Sequence, residues 1–280
     1  MNLMWNLMTI CILLFNWGIF QPELPHDVEK INLNLSKDEI AFTFFDLSQG
    51  ESTLIQSSTG DNILLNTGGP EAGEELLYYL DIYGVDELKT VIVTSETDEY
   101  IGNLQSVVKN VQVHNIVLPD ASMDSPLQMK NVTWAEGDMT QLFEGLNCEL
   151  LSKGNKDDHF TMDILLEYKG TNILYMTSAM EKVENKLMEK KDLSVVNILK
   201  VGDFGNPSGT TEAFLEECDP QVAIVFYKDD QKGITDVLER LHETWMDIYQ
   251  TRQVGNISVK AKDHDYQVFT ITLDAYRSMS

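Results

Sequence analysis

The chain is organised around residues 94–104, which read Thr-Ser-Glu-Thr-Asp-Glu-Tyr-Ile-Gly-Asn-Leu. The apolar run Val91-Ile92-Val93 precedes this stretch and predicts a buried strand, and the pattern of Ile101–Val108 predicts a helix after it. The stretch is therefore predicted to be a loop between a strand and a helix. In α/β enzymes such a loop commonly carries metal ligands, of which histidine is the most frequent, yet this loop contains no histidine.

The charge balance of the chain restricts its partners. Its 280 residues are enough for one large domain with a substantial core. Lys and Arg total 20 against 45 Asp and Glu, which gives a formal net charge of -25. A field of this sign repels phosphate backbones and anionic membrane surfaces, and the sequence has no basic stripe that would offset it. The composition therefore argues against direct nucleic-acid binding.

The N-terminus carries an uncharged apolar stretch, Leu3–Phe20. Its length is near the lower limit for spanning a bilayer, and it also suits a secretory signal. We therefore predict that residues 1–20 are a signal peptide or a membrane anchor, with a buried N-terminal helix as the alternative. Residues 21–38 are predicted to be a polar linker and residues 39–280 one folded domain. That domain would be extracellular, or anchored to the membrane through residues 1–20 if these are not cleaved.

The order of predicted elements indicates the fold class. A meander of strands over 40–65 precedes a helix near 71–83, and alternating strands and helices follow as far as residue 118. The region 120–145 is only loosely patterned, and a second series of strands and helices begins near residue 163. Because no linker separates the two halves, we predict a single α/β domain. It would be a four-layer α/β/β/α sandwich, with two sheets packed face to face and helices outside.

Three cysteines occur, and no Cys-x-x-Cys pair is among them. Zinc-ribbon and redox-motif interpretations therefore have no support. Cys148 and Cys218 lie in the body of the chain. They could form a disulfide in an exported protein, or remain two separate buried thiols.

Four motifs resemble those of the metallo-β-lactamase-fold hydrolase domain of ComEC-type proteins. Residues 44–52 are similar to its Phe-x-Asp-Val-Gly-Gln-Gly-Asp-Ser signature, and residues 62–69 to its Leu-Leu-Ile-Asp-Thr-Gly-Gly motif. Residues 199–215 resemble Leu-Lys-Val-x-His-His-Gly-Ser with the helix that follows it, and residues 249–257 resemble the closing Tyr-x-Thr…Gly-x-Ile. The motifs occur in order between about Ile40 and Ile271. The resemblance implies the same sandwich architecture.

The metal ligands of that family are not carried over. The resemblance implies a centre in which histidines and carboxylates hold a divalent metal that activates a water molecule. The family's Thr/Ser-His-x-His-x-Asp-His loop, Thr-Gly-Asp turn and late His-His pair fall on altered residues. These are Ser95, Thr97, Glu99, Tyr100, Ala179, Asp203 and Phe204. Asn66 likewise stands at the Asp of the family's Ile-Asp-Thr-Gly motif. The resemblance thus implies a vestigial site that binds no metal.

The five histidines of the chain do not replace the missing ligands. No two of them share one predicted element at a spacing that suits a metal, so each is interpreted as a surface residue. They are His26, His114, His159, His242 and His264.

Two functions follow from these observations. The leading hypothesis is a non-catalytic protein of this fold, exported or tethered to the membrane, without a cofactor. It would act as a binding or structural module for an unidentified protein partner. The rings of Tyr100 and Phe204 are predicted to fill the former metal cavity. The resemblance links working members of the family to DNA uptake or to phosphoester hydrolysis.

The alternative hypothesis is a metal-dependent phosphoester hydrolase with a rebuilt, carboxylate-rich site. Its ligands would be Glu96, Asp98, Glu99 and Asp203, and such oxygen ligands suit Mg²⁺, Mn²⁺ or Ca²⁺. A competing explanation is that Glu96 and Asp98 face solvent and favour the start of the following helix, where acidic side chains complement the helix dipole.

Overall fold

A computed structural model describes residues 30–123, 131–155, 159–229 and 231–273. In these residues the chain forms fifteen strands and seven α-helices. The strands are β1 (Glu39–Phe44), β2 (Thr53–Ser57), β3 (Asn62–Leu65), β4 (Glu87–Ile92), β5 (Gln112–Val117), β6 (Asn131–Val132), β7 (Met139–Phe143), β8 (Leu146–Lys153), β9 (Met162–Tyr168), β10 (Thr171–Tyr175), β11 (Ile198–Lys200), β12 (Val222–Val225), β13 (Asp247–Gln250), β14 (Asn256–Lys262) and β15 (Asp265–Ile271). The helices are α1 (Gly73–Ile82), α2 (Asp98–Ile101), α3 (Leu104–Asn110), α4 (Glu181–Lys190), α5 (Glu212–Cys218), α6 (Ile234–Glu243) and α7 (Thr251–Val254).

The strands form two mixed sheets. The first sheet has the order β15-β14-β1-β2-β3-β4-β5-β6, antiparallel from β15 to β3 and parallel from β3 to β6. The second has the order β13-β12-β11-β10-β9-β8-β7, parallel from β13 to β10 and antiparallel from β10 to β7. In both sheets the parallel strands end at loops that carry polar side chains, and these loops meet at the candidate site described below.

Alternating burial explains how the layers stack. In β3, Ile63 and Leu65 belong to the apolar cluster between the sheets, whereas Leu64 belongs to the cluster under α1 and α3. A third cluster packs α4, α5 and α6 against the outer face of the second sheet. Strands buried on both faces are typical of sheets covered by helices. The structure therefore confirms the predicted α/β fold and the four-layer α/β/β/α sandwich.

Two details of the architecture differ from the sequence pattern. Strand β8 has no counterpart among the predicted elements, although Leu146, Cys148 and Leu150 alternate with polar residues. Its pairing with β9 shifts register between Leu150 and Ser152. The helix predicted over 101–108 is instead divided into α2 and α3. The side chain of Asn103 enters this break and donates hydrogen bonds to the carbonyl oxygens of Thr67 and Gly69.

Part of the segment predicted as a linker packs on the domain. Ile31 and Leu33 contact the apolar cluster under α1, and the amide of Ile31 donates to the carbonyl oxygen of Ile82 at 2.8 Å. The predicted signal or anchor over residues 1–20 lies outside the described residues. Among the helices of the described ranges, none has both the length and the apolar character that a bilayer span requires.

The two described cysteines are free thiols in different clusters. Cys148 is buried between the sheets, and Cys218 is buried under the helices of the second sheet. Burial raises the pKa of both thiols. Of the two arrangements that the sequence left open, the structure has the separate thiols.

A buried carboxylate fixes the loop that precedes α5. Glu184, on α4, is 1% exposed and accepts hydrogen bonds from the backbone amides of Thr210 and Thr211 and from the Thr211 hydroxyl. The Thr211 hydroxyl also accepts from the amide of Phe214 and so caps α5. One side chain of α4 therefore determines where α5 begins.

Replacing Glu184 by alanine is expected to destabilise the protein by about 2–3 kcal/mol, because two amides lose their partner in a buried loop. Urea denaturation measures the change. Glu189→Ala, on the exposed face of the same helix, is the matched control and is expected to change stability by less than about 0.5 kcal/mol. Equal losses in the two variants would contradict the role given to Glu184.

Candidate functional site

The candidate site lies where loops from both sheets meet. The loop after β4 contributes residues 94–100, the loop after β10 contributes residues 177–179, and the turn after β11 contributes residues 202–205. These segments hold all seven positions of the predicted vestigial site. The structure therefore brings into one region residues that are distant in the sequence.

Two aromatic rings occupy the centre of this region. Tyr100 is 3% exposed and Phe204 is fully buried, and their ring centroids lie 5.6 Å apart at a tilted angle. Tilted ring pairs at this distance are favourable beyond the area that they bury. Among the described residues the Tyr100 hydroxyl has no hydrogen-bond partner, and burial raises its pKa well above the usual range. At the site Tyr100 is thus a neutral phenol.

Ser95 and Thr97 of this loop form hydrogen bonds within the loop. Ser95 is 2% exposed, and its hydroxyl accepts from the backbone amide of Thr97 at 3.3 Å. The hydroxyl groups of Ser95 and Thr97 lie 3.4 Å apart. Ser95 also forms an isolated antiparallel bridge with Thr161, which ties the loop to the second sheet. Both side chains take part in holding the loop.

Ala179, Asp203 and Phe204 occupy the loops of the second sheet. A Cβ atom added to Gly209 would lie 2.7 Å from the Cα atom of Ala179, so Ala179 is in tight contact with that loop. Asp203 and Phe204 both have positive φ, at 39° and 54°, which is uncommon for residues other than glycine. Asp203 accepts from the side-chain amide of Asn206 at 2.8 Å. The carboxylate of Asp203 therefore already has a partner within its own turn.

Glu99 forms an ion pair that spans the two halves of the domain. The ammonium group of Lys228 lies 2.6 Å from its carboxylate and 5.4 Å from the centroid of the Phe204 ring. Partial burial alone would raise the pKa of Glu99, but the hydrogen bond and the charge of Lys228, with other local donors, lower it. Lys228 thus neutralises one carboxylate of the site and covers one of its rings.

A fully buried ion pair lies directly beneath the rings. Glu51 and Lys200 are both 0% exposed, and their charged atoms are 2.6 Å apart. The Lys200 ammonium also donates to the carbonyl oxygen of Met176 at 2.7 Å and lies 4.4 Å from the centre of the Tyr175 ring. It is 5.9 Å from the centre of the Tyr100 ring. Burial raises the pKa of Glu51 and lowers that of Lys200, while the attraction between them opposes both shifts.

Asn66 connects this ion pair to the loop after β4. Its amide nitrogen donates to Glu51 at 2.9 Å and to the Thr94 hydroxyl at 3.0 Å, and its carbonyl oxygen accepts from the Thr94 amide at 2.7 Å. An ionised aspartate, the residue of the family motif, could not donate to Glu51 and would repel it. The Thr177 hydroxyl donates to Thr94 at 2.8 Å and extends the network into the second sheet.

Asp163 is the other fully buried acid near the site. Its carboxylate accepts from the amides of Thr177 and Ser178 and from the Ser178 hydroxyl, at 2.7–2.8 Å. Burial raises its pKa, and these hydrogen bonds oppose the rise. Because both carboxylate oxygens are engaged by the loop, Asp163 acts as an anchor for residues 177–178.

An open cleft of about 580 Å³ lies at the mouth of the site. Glu96 and Asp98 line it, together with Glu99 and His159. The carboxylate of Glu96 accepts from the backbone amide of Phe160 at 3.2 Å and lies 3.5 Å from the His159 ring. His159, interpreted from the sequence as a surface residue, is thus exposed and stands at the rim of the cleft.

The side chains at the family's ligand positions do not fit a divalent metal ion. Ala179 and Phe204 offer no donor atom, Tyr100 is a neutral phenol, and Asp203 and Glu99 are engaged by Asn206 and Lys228. Within the residues that the structure describes, no group of three or more His, Cys, Asp or Glu side chains is arranged to hold a metal. The four carboxylates of the alternative hypothesis accordingly do not converge on one point.

Sequence reasoning missed the residues that organise the interior of the site. Lys200 is a single charge in the apolar run Ile198–Val201, and an unpaired charge in a buried strand requires a partner. That signal predicts a buried ion pair, although it does not identify Glu51. Lys228 belongs to the short stretch Lys228–Lys232, in which acidic residues separate the two lysines, and this pattern does not predict an ion pair with Glu99.

Curated relatives match the chain over most of its length. Recombination protein 2 of Haemophilus influenzae is 26% identical over 241 residues, a match that covers 80% of this chain and 29% of the relative. ComE operon protein 3 of Bacillus subtilis is 22% identical over 265 residues, covering 77% of this chain and 34% of the relative. The chain therefore spans only about a third of the length of these relatives. No family model matches it.

Solved structures support the fold. The metallo-β-lactamase-fold protein YhfI from Bacillus subtilis superimposes with a TM-score of 0.54 at 14% identity, over 83% of this chain and 100% of that protein. A variant of the CmlA β-hydroxylase gives a TM-score of 0.55 at 9% identity, over 85% of this chain and 54% of that enzyme. At this level of identity the similarity shows the architecture alone. The chain therefore has the metallo-β-lactamase fold and is similar in sequence to Recombination protein 2 and ComE operon protein 3. The positions that the resemblance to ComEC-type domains assigns to metal ligands hold other residues.

Proposed function

We propose that this chain is a non-catalytic metallo-β-lactamase-fold protein that acts as a binding or structural module. The observation that carries the proposal is the contact between Tyr100 and Phe204, two rings buried side by side at former ligand positions. A hydrolase of this fold needs an open coordination position and a water molecule there. Buried rings in contact leave room for neither.

The proposal includes a location and a kind of partner. The chain would be exported or tethered to the membrane through residues 1–20, with its domain outside the cytoplasm. Its similarity to Recombination protein 2 and ComE operon protein 3, together with the resemblance to ComEC-type domains, supports a role beside a DNA-uptake system. The net charge of -25 argues that it would engage a protein component rather than the DNA itself.

The purified full chain is expected to contain far less than one metal ion per molecule after separate incubation with Zn²⁺ and Mn²⁺. Two of the ligand positions, Ala179 and Phe204, lack donor atoms, and the carboxylates of Glu99 and Asp203 are engaged by other side chains. Elemental mass spectrometry after desalting measures the metal content. One Zn²⁺ or Mn²⁺ ion per chain that is lost in Glu99→Ala would contradict the proposal.

The alternative, a hydrolase with a rebuilt site, is favoured only by the carboxylates that line the cleft. Hydrolysis of a bis-nitrophenyl phosphate diester, with Mg²⁺, Mn²⁺ or Ca²⁺ added, separates the two functions. A non-catalytic module is expected to give the rate of buffer and metal alone, and Asp203→Ala is expected to leave that rate unchanged. Metal-dependent turnover that Asp203→Ala abolishes would establish the alternative.

Phe204→Ala is expected to destabilise the protein by about 3–5 kcal/mol, because in a non-catalytic module this ring is part of the core and its removal leaves a cavity. Chemical denaturation measures the loss. Phe269→Ala, a half-buried ring on the edge strand β15, is the control and is expected to cost about 1 kcal/mol. A Phe204→Ala variant as stable as the wild type would contradict the proposal. It would indicate that the residues of the candidate site serve a function and not the stability of the core.

A double-mutant cycle tests the buried ion pair as a core element. Lys200→Met is expected to cost about 3–5 kcal/mol, because it leaves the Glu51 carboxylate buried without its counter-ion. The double variant Glu51→Gln/Lys200→Met is expected to be about 2 kcal/mol more stable than Lys200→Met, since neither remaining group is charged. Urea unfolding of the wild type, both single variants and the double variant gives the coupling energy. Additive losses would show that the two charges are not coupled.

A further inference from the structure

A tryptophan in solvent marks the end of the second sheet opposite to the filled site. Trp245 lies in the turn between α6 and β13 and is 97% exposed, whereas Trp134 is 7% exposed in the core. Burial of an indole ring lowers the free energy of the folded state by a large amount, and a fully exposed ring makes no such contribution. Trp245 therefore contributes almost nothing to the packing of its own domain.

The backbone at Trp245 also disfavours this residue. Helix α6 ends at Glu243, Thr244 is its C-cap, and Trp245 follows with φ of 59°. This position after a helix usually carries glycine, because a side chain in the left-handed region is strained. Neither packing nor backbone conformation explains a tryptophan here, and strained residues that the fold does not need are found at functional sites.

Trp245 belongs to a surface formed where three parallel strands begin. The amide of Asp247 donates to Gln221, and that of Gln221 donates to Asn197, so the starts of β13, β12 and β11 lie side by side. Val195, just before β11, is 41% exposed. We call this region the strand-start surface; it comprises residues 192–197, 216–221 and 242–247. Because β11 runs from this end to Lys200, the surface lies away from the Tyr100–Phe204 rings.

The strand-start surface is predominantly acidic, with His242 as its one basic side chain. Its three segments contain no Lys or Arg. Their carboxylates are all exposed: Asp192, Glu216, Glu217, Asp219, Glu243 and Asp247. Of the nearby cations, Arg240 lines the cleft between α5 and α6 and donates to the carbonyl oxygen of Gly209 at 2.8 Å. Lys191 pairs with Glu149, and Lys169 pairs with Asp38 at 3.0 Å. A cleft of about 550 Å³ between α5 and α6 continues this surface and ends at Thr244, beside the tryptophan.

We propose that the strand-start surface is a docking site for a basic segment of a partner protein, whose apolar side chains cover Trp245. An exposed tryptophan flanked by Glu243 and Asp247, on a surface with six exposed carboxylates, matches a basic partner, with the indole as the central anchor. A second copy of this chain, a nucleic acid or an anionic bilayer would each bring negative charge to the same surface. The proposal does not depend on whether the opposite end of the domain binds metal.

The test uses the purified full chain and a defined probe, a synthetic amphipathic peptide rich in lysine and leucine. A peptide with glutamate in place of lysine is the matched control. The fluorescence of Trp245 is the part of the emission that Trp245→Gly removes. We expect the basic peptide to move this part of the emission to shorter wavelength. We also expect Trp245→Gly to weaken binding of the basic peptide, with a Kd higher by about tenfold or more. The acidic peptide should not bind.

The same variant separates binding from folding. Trp245→Gly relieves the strained backbone and removes an exposed ring, so its Tm is expected to be equal to that of the wild type or higher. A fall of more than about 5 °C would show that Trp245 stabilises the fold and would overturn the proposal. An equal Kd for the wild type and Trp245→Gly would overturn the proposal as well, because the peptide would then be held by the general negative charge of the protein and not by Trp245.

A charge-matched pair of variants locates the attraction. Glu243→Gln/Asp247→Asn is expected to weaken binding of the basic peptide several-fold and to reduce its dependence on salt. Glu74→Gln/Asp86→Asn removes the same two charges from exposed positions on the first half of the domain and is expected to leave Kd within about twofold. Equal effects of the two pairs would contradict the proposal. So would Trp245-dependent dimerisation in sedimentation experiments, or Trp245-dependent binding to phosphatidylglycerol vesicles.

Discussion

The buried ion pair between Glu51 and Lys200 is the constraint on which the rest of the structure depends. Glu51 comes from the turn before β2 in the first sheet, and Lys200 ends β11 in the second. Two charges removed from water are tolerated only when they meet with good geometry, so the sheets are held in the arrangement that joins them. The hydrogen bonds of Asn66 and Thr94 follow from that arrangement. Both charged positions fall within the ComEC-like motifs, where the family also has an acid and a lysine. The resemblance therefore implies that the pair belongs to the framework of the fold and does not replace a metal.

Around this framework, the positions that the resemblance assigns to metal ligands take part in packing and charge pairing. Tyr100 and Phe204 are in ring contact, and Glu99 pairs with Lys228. The turn at Asp203 has a left-handed backbone at two successive residues other than glycine, Asp203 and Phe204. Such a strained conformation persists only where the surrounding core determines it.

The architecture could be predicted from the sequence because it depends on local periodicity. The apolar run Ile63-Leu64-Leu65 predicts a buried strand, and the structure divides its side chains between two cores. The segments that the resemblance assigns to metal ligands lie in neighbouring loops. Strand β8 was not predicted, although Leu146, Cys148 and Leu150 alternate with polar residues before a bulge shifts its pairing. The partner of Lys200 could not be predicted from the sequence. A buried charge requires a counter-ion, but the sequence does not show which residue supplies it. Tryptophan is usually buried, so the sequence does not predict that Trp245 is exposed. Its exposure becomes evident only from its position after the end of α6 in the structure.

The contact between Tyr100 and Phe204 also determines how metal ligands could be engineered into this protein. A histidine at position 204 alone would place a polar ring in a buried pocket where the Lys228 ammonium lies 5.4 Å from the centroid of the present ring. A histidine at position 100 alone would leave a void beside Phe204. Because each substitution made alone is expected to lower stability, the two rings would have to be replaced together.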